Sequence, residues 1–221
     1  MRRVVVWDLP TRVFHWALVA LVALAYVTAE DDGLAYQVHV LCGYGVALLL
    51  AFRVLWGFVG SRHARFADFI YGWSMVRDYV RGLLRLDPPH HVGHNPLGAI
   101  MIFALLAVLI GTVWTGLASG GGESDLHETL GNLVIILAAI HVAGVLADWL
   151  LTGENLTRAM VTGWKELPDA EASRETPPVR PWRAVAVALV VAVLAYEFVA
   201  YSQLVTWPPA HSEGEYGEDE E

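Results

Sequence analysis

Hydrophobic residues along this chain are gathered into long runs that short polar segments separate. Runs of about 18 or more mostly apolar residues are typical of helices that span a membrane. Five runs meet this criterion, at about residues 11–29, 38–59, 97–118, 126–151 and 183–206. The pattern therefore predicts an all-α membrane protein, in which a four-helix transmembrane bundle is followed by a fifth transmembrane helix.

A different pattern occupies the segment 65–86, RFADFIYGWSMVRDYVRGLLRL. Apolar residues recur there at helical spacing, and Arg77, Arg81 and Arg85 mark another face at intervals of four. This alternation predicts an amphipathic helix that lies on the inner membrane surface. On this interpretation its aromatic residues are ordinary residues of the membrane–water interface.

Composition agrees with a membrane protein, because only 17% of the 221 residues are charged, against about 25% in a soluble domain. The N-terminus has some features of a cleaved signal peptide. Arg12 and His15 interrupt its apolar stretch, so we expect the first run to be a retained span. Cys42 is the only cysteine, which excludes an intrachain disulfide, and we expect it to be packed in the second span.

The charged residues predict how the chain is oriented. All 14 Lys and Arg residues lie in three places: before or at the start of the first run, from the end of the second run to the third, and from the end of the fourth run to the start of the fifth. Basic residues in short loops stay cytoplasmic, so we expect the N-terminus inside and the C-terminus outside. The opposite loops carry Glu30, Asp31, Asp32, Glu123, Asp125 and Glu128, and the tail 207–221 is also acidic. This outer face is either simply soluble or a docking surface for a cationic partner.

Four of the nine histidines fall at two depths in these spans. His39 and His127 lie near the outer ends of the second and fourth spans, and His15 and His141 lie toward the inner side. Fourteen residues separate His127 from His141, which is roughly 21 Å along one helix face. The spacing predicts two levels, each with one histidine from each of two helices.

Two imidazoles at one depth can supply both axial ligands of a haem. Zinc would require four ligands, whereas facing helices of a bundle often hold flat cofactors. Gly43, Gly131 and Gly144 share helix faces with these histidines and would let a macrocycle approach, although glycines also serve close helix packing. Arg53, near the inner edge, is a candidate partner for a haem propionate.

The other histidines carry less information. His90, His91 and His94 lie in DPPHHVGHNP, where a metal or third-haem site competes with ordinary interfacial polarity. Asn95 and Pro96 are expected at the N-cap and first position of the third span. We expect His63 and His211 to be solvated.

Several segments resemble the bacterial cytochrome b561 and nickel-hydrogenase b-type cytochrome family. The resemblance covers about residues 5–165 and rests on these segments: WDLPTRVFHWALV, HVLCGYGVALLLAFRVLWGFVGSRHARF, GHNPLGAIMIFALL, LHETLGNLVIILAAIHVAG and GENLTRAMVTG. It implies a four-helix haem-b protein in which His15 pairs with His141 and His39 with His127. The fifth span and acidic tail depart from the family pattern.

These expectations divide the chain into a dihaem cytochrome b domain over 1–165, an inner linker over 166–182, a fifth transmembrane helix over 183–206 and an outer tail over 207–221. The expected function is electron transfer across a bacterial inner membrane, between the quinone pool and a periplasmic c-type cytochrome. Such an electron-transfer subunit could have quinone oxidoreductase activity.

Three alternatives remain open at this point. The chain could anchor a nickel-iron hydrogenase, oxidise superoxide with quinone, or be a haem-free scaffold. The negative outer face disfavours superoxide oxidation, because it would repel this anionic substrate.

Overall fold

The structure is a computed structural model that describes residues 2–29, 33–120, 124–167 and 180–201. Its helices are α1 (Leu9–Val27), α2 (Leu34–Val59), α3 (Trp73–Leu84), α4 (Pro96–Ala118), α5 (Asp125–Thr152), α6 (Leu156–Thr162) and α7 (Pro181–Tyr201). Five of them, α1, α2, α4, α5 and α7, are long and apolar enough to cross a membrane. The prediction of an all-α membrane protein with five spans is confirmed.

The long helices form a bundle and pack mostly in sequence order. Close contacts join α1 to α2, α2 to α4 and α4 to α5, and α7 packs against α2. The buried core between α2, α4 and α5 consists of Val46, Leu50, Leu106, Leu109 and Val134. Helices α1 and α5 are not among the closely packed pairs, although the Tyr26 hydroxyl donates to Asn132 Oδ1 at 3.2 Å. These two helices are therefore joined by individual side-chain contacts rather than by close packing.

Side-chain caps fix where four of the helices begin. Asp8, Asn95, Ser124 and Asn155 each accept a hydrogen bond from a backbone N–H in the first turn that follows. Such caps satisfy N–H groups that have no partner inside the helix. Pro96 stands at the first position of α4, so the predicted Asn95–Pro96 start is confirmed.

The predicted helix over 65–86 is too long, because α3 begins only at Trp73. Residues 62–64 and 66–68 form two short 3₁₀ turns instead. Phe66 turns inward and covers Gly57, where an added Cβ would overlap the Phe66 ring. Phe69 is only 2% exposed. These aromatic residues are packed in the protein rather than at a membrane surface, so the interfacial interpretation is wrong for them.

A two-stranded ribbon, which the sequence patterns did not predict, joins the segment before α1 to the segment after α6. Strand β1 (Arg2–Val5) pairs antiparallel with β2 (Trp164–Leu167). The N–H groups of Val6 and Trp7 continue the pairing by donating to the Gly163 carbonyl. The boundary predicted at residue 165 therefore falls inside a strand.

We call the two ends of the bundle the basic end and the acidic end. The basic end contains the starts of α1, α4 and α7, the ends of α2 and α5, and the ribbon with Lys165. The acidic end contains the start of α5, with Asp125 and Glu128 in its first turn. Glu30, Asp31, Asp32, Glu123, the end of the fifth predicted span and the tail 207–221, with His211, lie outside the described residues.

Candidate functional site

Two predicted site residues meet at the acidic end. His39 lies in the second turn of α2 and His127 in the first turn of α5. Their ring centroids are 5.9 Å apart, and the ring planes are nearly perpendicular at 84°. The fold thus brings together two imidazoles from helices that do not pack closely on each other.

Backbone carbonyls hold both of these rings. His39 Nδ1 lies 2.8 Å from the Ala25 carbonyl oxygen of α1, and His127 Nδ1 lies 2.9 Å from the Thr112 carbonyl oxygen of α4. A carbonyl only accepts hydrogen bonds, so each Nδ1 carries the proton and donates. The lone pair of each Nε2 then remains for a metal ion, which is the usual arrangement behind metal-bound histidines.

Gly116 is a site residue that sequence reasoning missed. A Cβ at this position would lie 2.9 Å from His127 Cε1 and 3.0 Å from His127 Nδ1, which is closer than real Cβ contacts. The missing side chain lets the His127 ring reach the Thr112 carbonyl one turn away on α4. Only the packing of α4 on α5 shows which glycine has this role.

The second predicted pair lies deeper, toward the basic end. His15 on α1 and His141 on α5 are both half-buried and lie near each other. His15 Nδ1 is buried without a hydrogen-bond partner among the described residues. The two pairs therefore occupy separate levels, and only the acidic-end pair is held by carbonyls on both rings.

Open space lies beside the three predicted glycines. Within the described part of the chain, no heavy atom comes within 4 Å of a Cβ built at Gly43, Gly131 or Gly144. By contrast, Gly45 contacts Leu21, as expected for a glycine in helix packing. Space beside the histidine-bearing faces is what a bulky planar group would need.

These residues fit a haem better than an isolated metal ion. Metal–imidazole bonds are about 2 Å long, and the 5.9 Å between the His39 and His127 ring centroids is compatible with one metal ion bound by both rings. No group of three or more His, Cys, Asp or Glu side chains that could hold a metal ion occurs in the described residues. Two nitrogen ligands at a level suit a cofactor whose other ligands are its own.

Arg53 lies at the basic end and is only 4% exposed. Its Nη1 donates to the Ala64 carbonyl at 3.1 Å, and its guanidinium lies 4.9 Å from the centre of the Phe66 ring. Asp8 provides a nearby opposite charge. Arg53 therefore supports the loop after α2, and its pairing with a haem propionate stays a prediction.

Asp8 is a second residue that sequence reasoning missed. Its Oδ1 accepts from the Thr11 N–H at 2.8 Å, and its Oδ2 accepts from Trp56 Nε1 at 3.1 Å and from the Ser61 N–H at 3.4 Å. One carboxylate thus joins the start of α1 to the end of α2. This joint fixes the basic-end position of the helix that carries His15.

The remaining histidines go to different partners. His90 Nδ1 lies 2.7 Å from Glu154, whereas His91 Nδ1 bonds to the Pro89 carbonyl. His94 lies between the rings of Trp7 and Phe69, with centroid distances of 4.5 and 4.6 Å. Burial, reinforced by Arg53, His63, Lys165 and His141, lowers the pKa of His94 to about 3. These three histidines do not converge on one metal site.

Two further contacts stabilise the basic end. His63 is only 5% exposed and its Nδ1 lies 2.7 Å from Asp68, so the expectation that it is solvated is wrong. Lys165 Nζ bonds to Glu154 at 2.6 Å and to the His91 carbonyl at 3.0 Å. Burial tends to raise the pKa of Glu154, but Lys165 and His90 outweigh it and lower that pKa. The ribbon is thereby fastened to the end of α5.

Comparison with known proteins finds a matching family and several relatives. Residues 6–163 match the family model for prokaryotic cytochrome b561. The chain is 26% identical to a probable Ni/Fe-hydrogenase B-type cytochrome subunit of Azotobacter chroococcum mcd 1, over 75% of this chain and 90% of that protein.

Two further relatives have similar names. The Rhodobacter capsulatus protein of the same name is 25% identical, over 75% of this chain and 82% of that one. A probable Ni/Fe-hydrogenase 1 B-type cytochrome subunit of Escherichia coli strain K12 is 23% identical, over 72% and 89%. No solved structure matches the chain.

Proposed function

The chain belongs to the prokaryotic cytochrome b561 family, and from this premise we propose that it carries electrons across the membrane through two haems. It is a multi-pass membrane cytochrome of the b type, so its cofactor is haem b. The proposed route joins the quinone pool to a redox partner at the outer face.

The paired histidines are the observation that carries this proposal. His39 with His127, and His15 with His141, would each hold one haem through two imidazoles, and Gly43, Gly131 and Gly144 would leave room for it. When bound, haem b supplies reversible one-electron chemistry at its iron. The Ala25 and Thr112 carbonyls orient the acidic-end imidazoles, and Arg53 is the proposed partner of a propionate.

Electron transfer is favoured over oxygen chemistry at such sites. If each histidine pair held one haem, its two imidazoles would supply the protein ligands of the iron and would leave no position for oxygen to bind. The apolar spans would keep water from such sites in a membrane. The protein's tasks are then to hold two electron sites at fixed levels and to insulate them.

The proposed orientation places the basic end in the cytoplasm of a bacterium and the acidic end in the periplasm. Both α1 and α4 begin at the basic end, and α5 begins at the acidic end beside Asp125 and Glu128. A chain with five spans then ends outside. Negative charges at the acidic end suit a partner with a basic docking patch, such as a soluble c-type cytochrome.

A second candidate partner comes from the relatives. The Azotobacter and Escherichia proteins are named as probable cytochrome subunits of Ni/Fe-hydrogenases. By that likeness, the outer partner of this chain would be a hydrogenase, and the same two electron sites would serve it.

Haem counts of purified variants test the electron route. We expect two b haems per chain in a pyridine haemochrome assay, and about one in His127→Ala and in His141→Ala. His91→Ala, at a histidine bonded to the Pro89 carbonyl, is the control and should keep both. A wild-type count of one, or an unchanged count in either ligand variant, would refute the pairing.

The partner can be tested in proteoliposomes that contain the purified protein and a quinone. Rapid haem oxidation by an oxidised basic c-type cytochrome, slowed by salt, would support the first partner. Haem reduction under hydrogen that requires added hydrogenase would support the second. If added quinol did not reduce the haems and added quinone did not oxidise them, the proposed electron exchange with quinone would be contradicted.

A further inference from the structure

The two helices that carry the basic-end histidine pair do not pack closely on each other. His15 lies on α1 and His141 on α5, and the buried His15 Nδ1 has no hydrogen-bond partner among the described residues. The acidic-end rings, in contrast, are each held by a backbone carbonyl. Some other contact must therefore set the direction in which the His15 ring points.

The short helix α6 supplies such a contact. Three residues separate its start from the end of α5, so its position is tied to the helix that carries His141. The Arg12 guanidinium donates to the Val161 carbonyl, and Trp16 Nε1 donates to the Met160 carbonyl at 3.4 Å. Both acceptors belong to the last turn of α6. Two side chains of α1 are thereby bonded to the segment that follows α5.

The end of a helix is suited to hold these two donors. The last four carbonyls of an α-helix have no N–H partner within the helix, and they carry a partial negative charge. An indole N–H and a guanidinium satisfy two of them, and a cation is favoured at this end. Ala159 of the same helix is only 2% exposed and packs with Val6 and Trp7. Helix α6 is therefore also fixed against the segment that precedes α1.

The two donors lie on the same side of α1. Successive residues of an α-helix are turned by roughly 100°, so Arg12 and Trp16 project at roughly 60° and 100° from His15 around the helix axis. Two bonds about one turn apart on one side oppose rotation of α1 about this axis. The Trp16 ring also meets the His15 ring edge-on, with centroids 5.0 Å apart and an interplanar angle of 86°. Together these contacts restrict where the His15 ring can point.

Gly163 permits the close approach of α1 to the end of α6. Its φ of +87° lies in the left-handed region that favours glycine. A Cβ at this position would lie 2.9 Å from the Trp7 carbonyl oxygen and 3.0 Å from Arg12 Nη1. The Gly163 carbonyl also accepts hydrogen bonds from the N–H groups of Val6 and Trp7. A side chain here would push the first turn of α1 away from α6.

We propose that Arg12 and Trp16 are positioning residues, which use the free carbonyls at the end of α6 to direct His15 toward His141. They act through the His15 ring and are not ligands themselves. This inference rests on the proposed two-haem function, because it concerns how one ligand of the basic-end site is oriented. It adds α6, which carries no predicted ligand, to the structure of that site.

Electron paramagnetic resonance of the ferric protein measures this orientation. In a low-spin ferric haem with two imidazole ligands, the largest g value depends on the angle between the two ring planes. A variant that merely folds less well gives a weaker signal at the same position, whereas a rotated His15 ring moves the signal. The His127→Ala protein is the background for the test, because the proposed function leaves only the basic-end site in it.

Trp16→Phe removes the indole N–H and keeps an aromatic ring beside His15. In the His127→Ala background we expect an unchanged haem count and a shifted largest g value. Trp114→Phe, at an exposed tryptophan of α4, is the matched control and should leave the signal in place. Arg12→Gln should also shift the signal. Arg12→Lys, which keeps a cation for the α6 carbonyl, should restore most of the original position.

Gly163→Ala tests the same contact from the side of α6, without a change on α1. It should shift the signal, because the new Cβ would meet Trp7 and Arg12. Gly153→Ala is the matched control. Gly153 also has a positive φ, at +75°, but a Cβ there meets no described atom within 4 Å. The control should therefore leave the signal in place.

The outcomes separate this inference from the proposed function. An unmoved signal in either Trp16→Phe or Gly163→Ala would overturn the inference and leave the two-haem function standing. A control that shifts as much as its test variant would do the same, because the effect would then not come from the α1–α6 contact. A wild type with one haem, or a His127→Ala protein with none, would instead overturn the proposed function, and this inference with it.

Discussion

The imidazole rings of His39 and His127 lie with their centroids 5.9 Å apart, although they belong to helices that do not pack closely together. Each ring is oriented by a carbonyl of a third or fourth helix, from Ala25 on α1 and Thr112 on α4. All four spans of the bundle therefore contribute to one site. Substitutions on α4, which carries no predicted ligand, should therefore alter this site.

Substitution of Gly116 tests this dependence. In Gly116→Ala the new Cβ would lie 2.9 Å from the His127 ring, so the ring must turn away from the Thr112 carbonyl. We expect the purified variant to lose most of one haem, with the count falling from two toward one. Gly111→Ala, which meets only Leu130 Cδ1 at 3.3 Å, is the control and should keep both. Equal haem counts in the two variants would show that Gly116 has no such role.

Open space beside Gly131 gives a different prediction. In Gly131→Leu the side chain would begin in open space, because nothing described lies within 4 Å of the Cβ position outside the glycine's own stretch of helix. If the space holds the haem edge, the leucine excludes it and the haem count falls by about one. Ala139→Leu, at an exposed position of the same helix, is the control. Full haem retention in Gly131→Leu, measured by pyridine haemochrome, would mean that the space is filled by lipid.

Loss of the Asp8 carboxylate should destabilise the basic end. Asp8→Ala leaves the Thr11 N–H, Trp56 Nε1 and the Ser61 N–H without their acceptor, and each such loss in a buried place costs about 1–3 kcal/mol. We expect a clearly lower thermal unfolding midpoint in detergent, with Asp8→Asn less affected. Asp78→Ala, at an exposed acid of α3, should change it little. Similar thermal unfolding midpoints for Asp8→Ala and Asp78→Ala would contradict the role of Asp8 in joining α1 to α2.

Stability should fall in acid because of His94. Burial lowers its pKa to about 3 in the folded protein, whereas an unfolded histidine titrates at about 6.5. Below about pH 6.5 His94 binds a proton in the unfolded chain but not in the folded chain. The free energy of unfolding therefore decreases as the pH falls from about 6.5 to about 3. His94→Gln should unfold with a weaker pH dependence in this range, measured by thermal midpoints. If both proteins lose the same stability between neutral pH and about pH 4, His94 is not the cause.

The five spans, the Asn95 cap and the two histidine levels could be predicted from the sequence. Each depends on local chain properties: apolar run length, a capping residue before Pro96, and the fourteen-residue step from His127 to His141. The segment 65–86 misled the same reasoning, since helical spacing of apolar residues also occurs where Phe66 and Phe69 turn into the protein. Periodicity reports which residues avoid water and does not distinguish lipid from protein.

The sequence by itself determined the membrane spans and the depths of four histidines, because membrane insertion and helix geometry act on short stretches of chain. The cytochrome family followed from resemblance to known sequences. Only the tertiary structure decided which groups support them. The Ala25 and Thr112 carbonyls, Gly116 and Asp8 act across helices, and every residue has a carbonyl whose partner no sequence pattern reveals. The β1–β2 ribbon likewise joins residues more than 150 positions apart, so its existence depends on the fold that brings the two ends together.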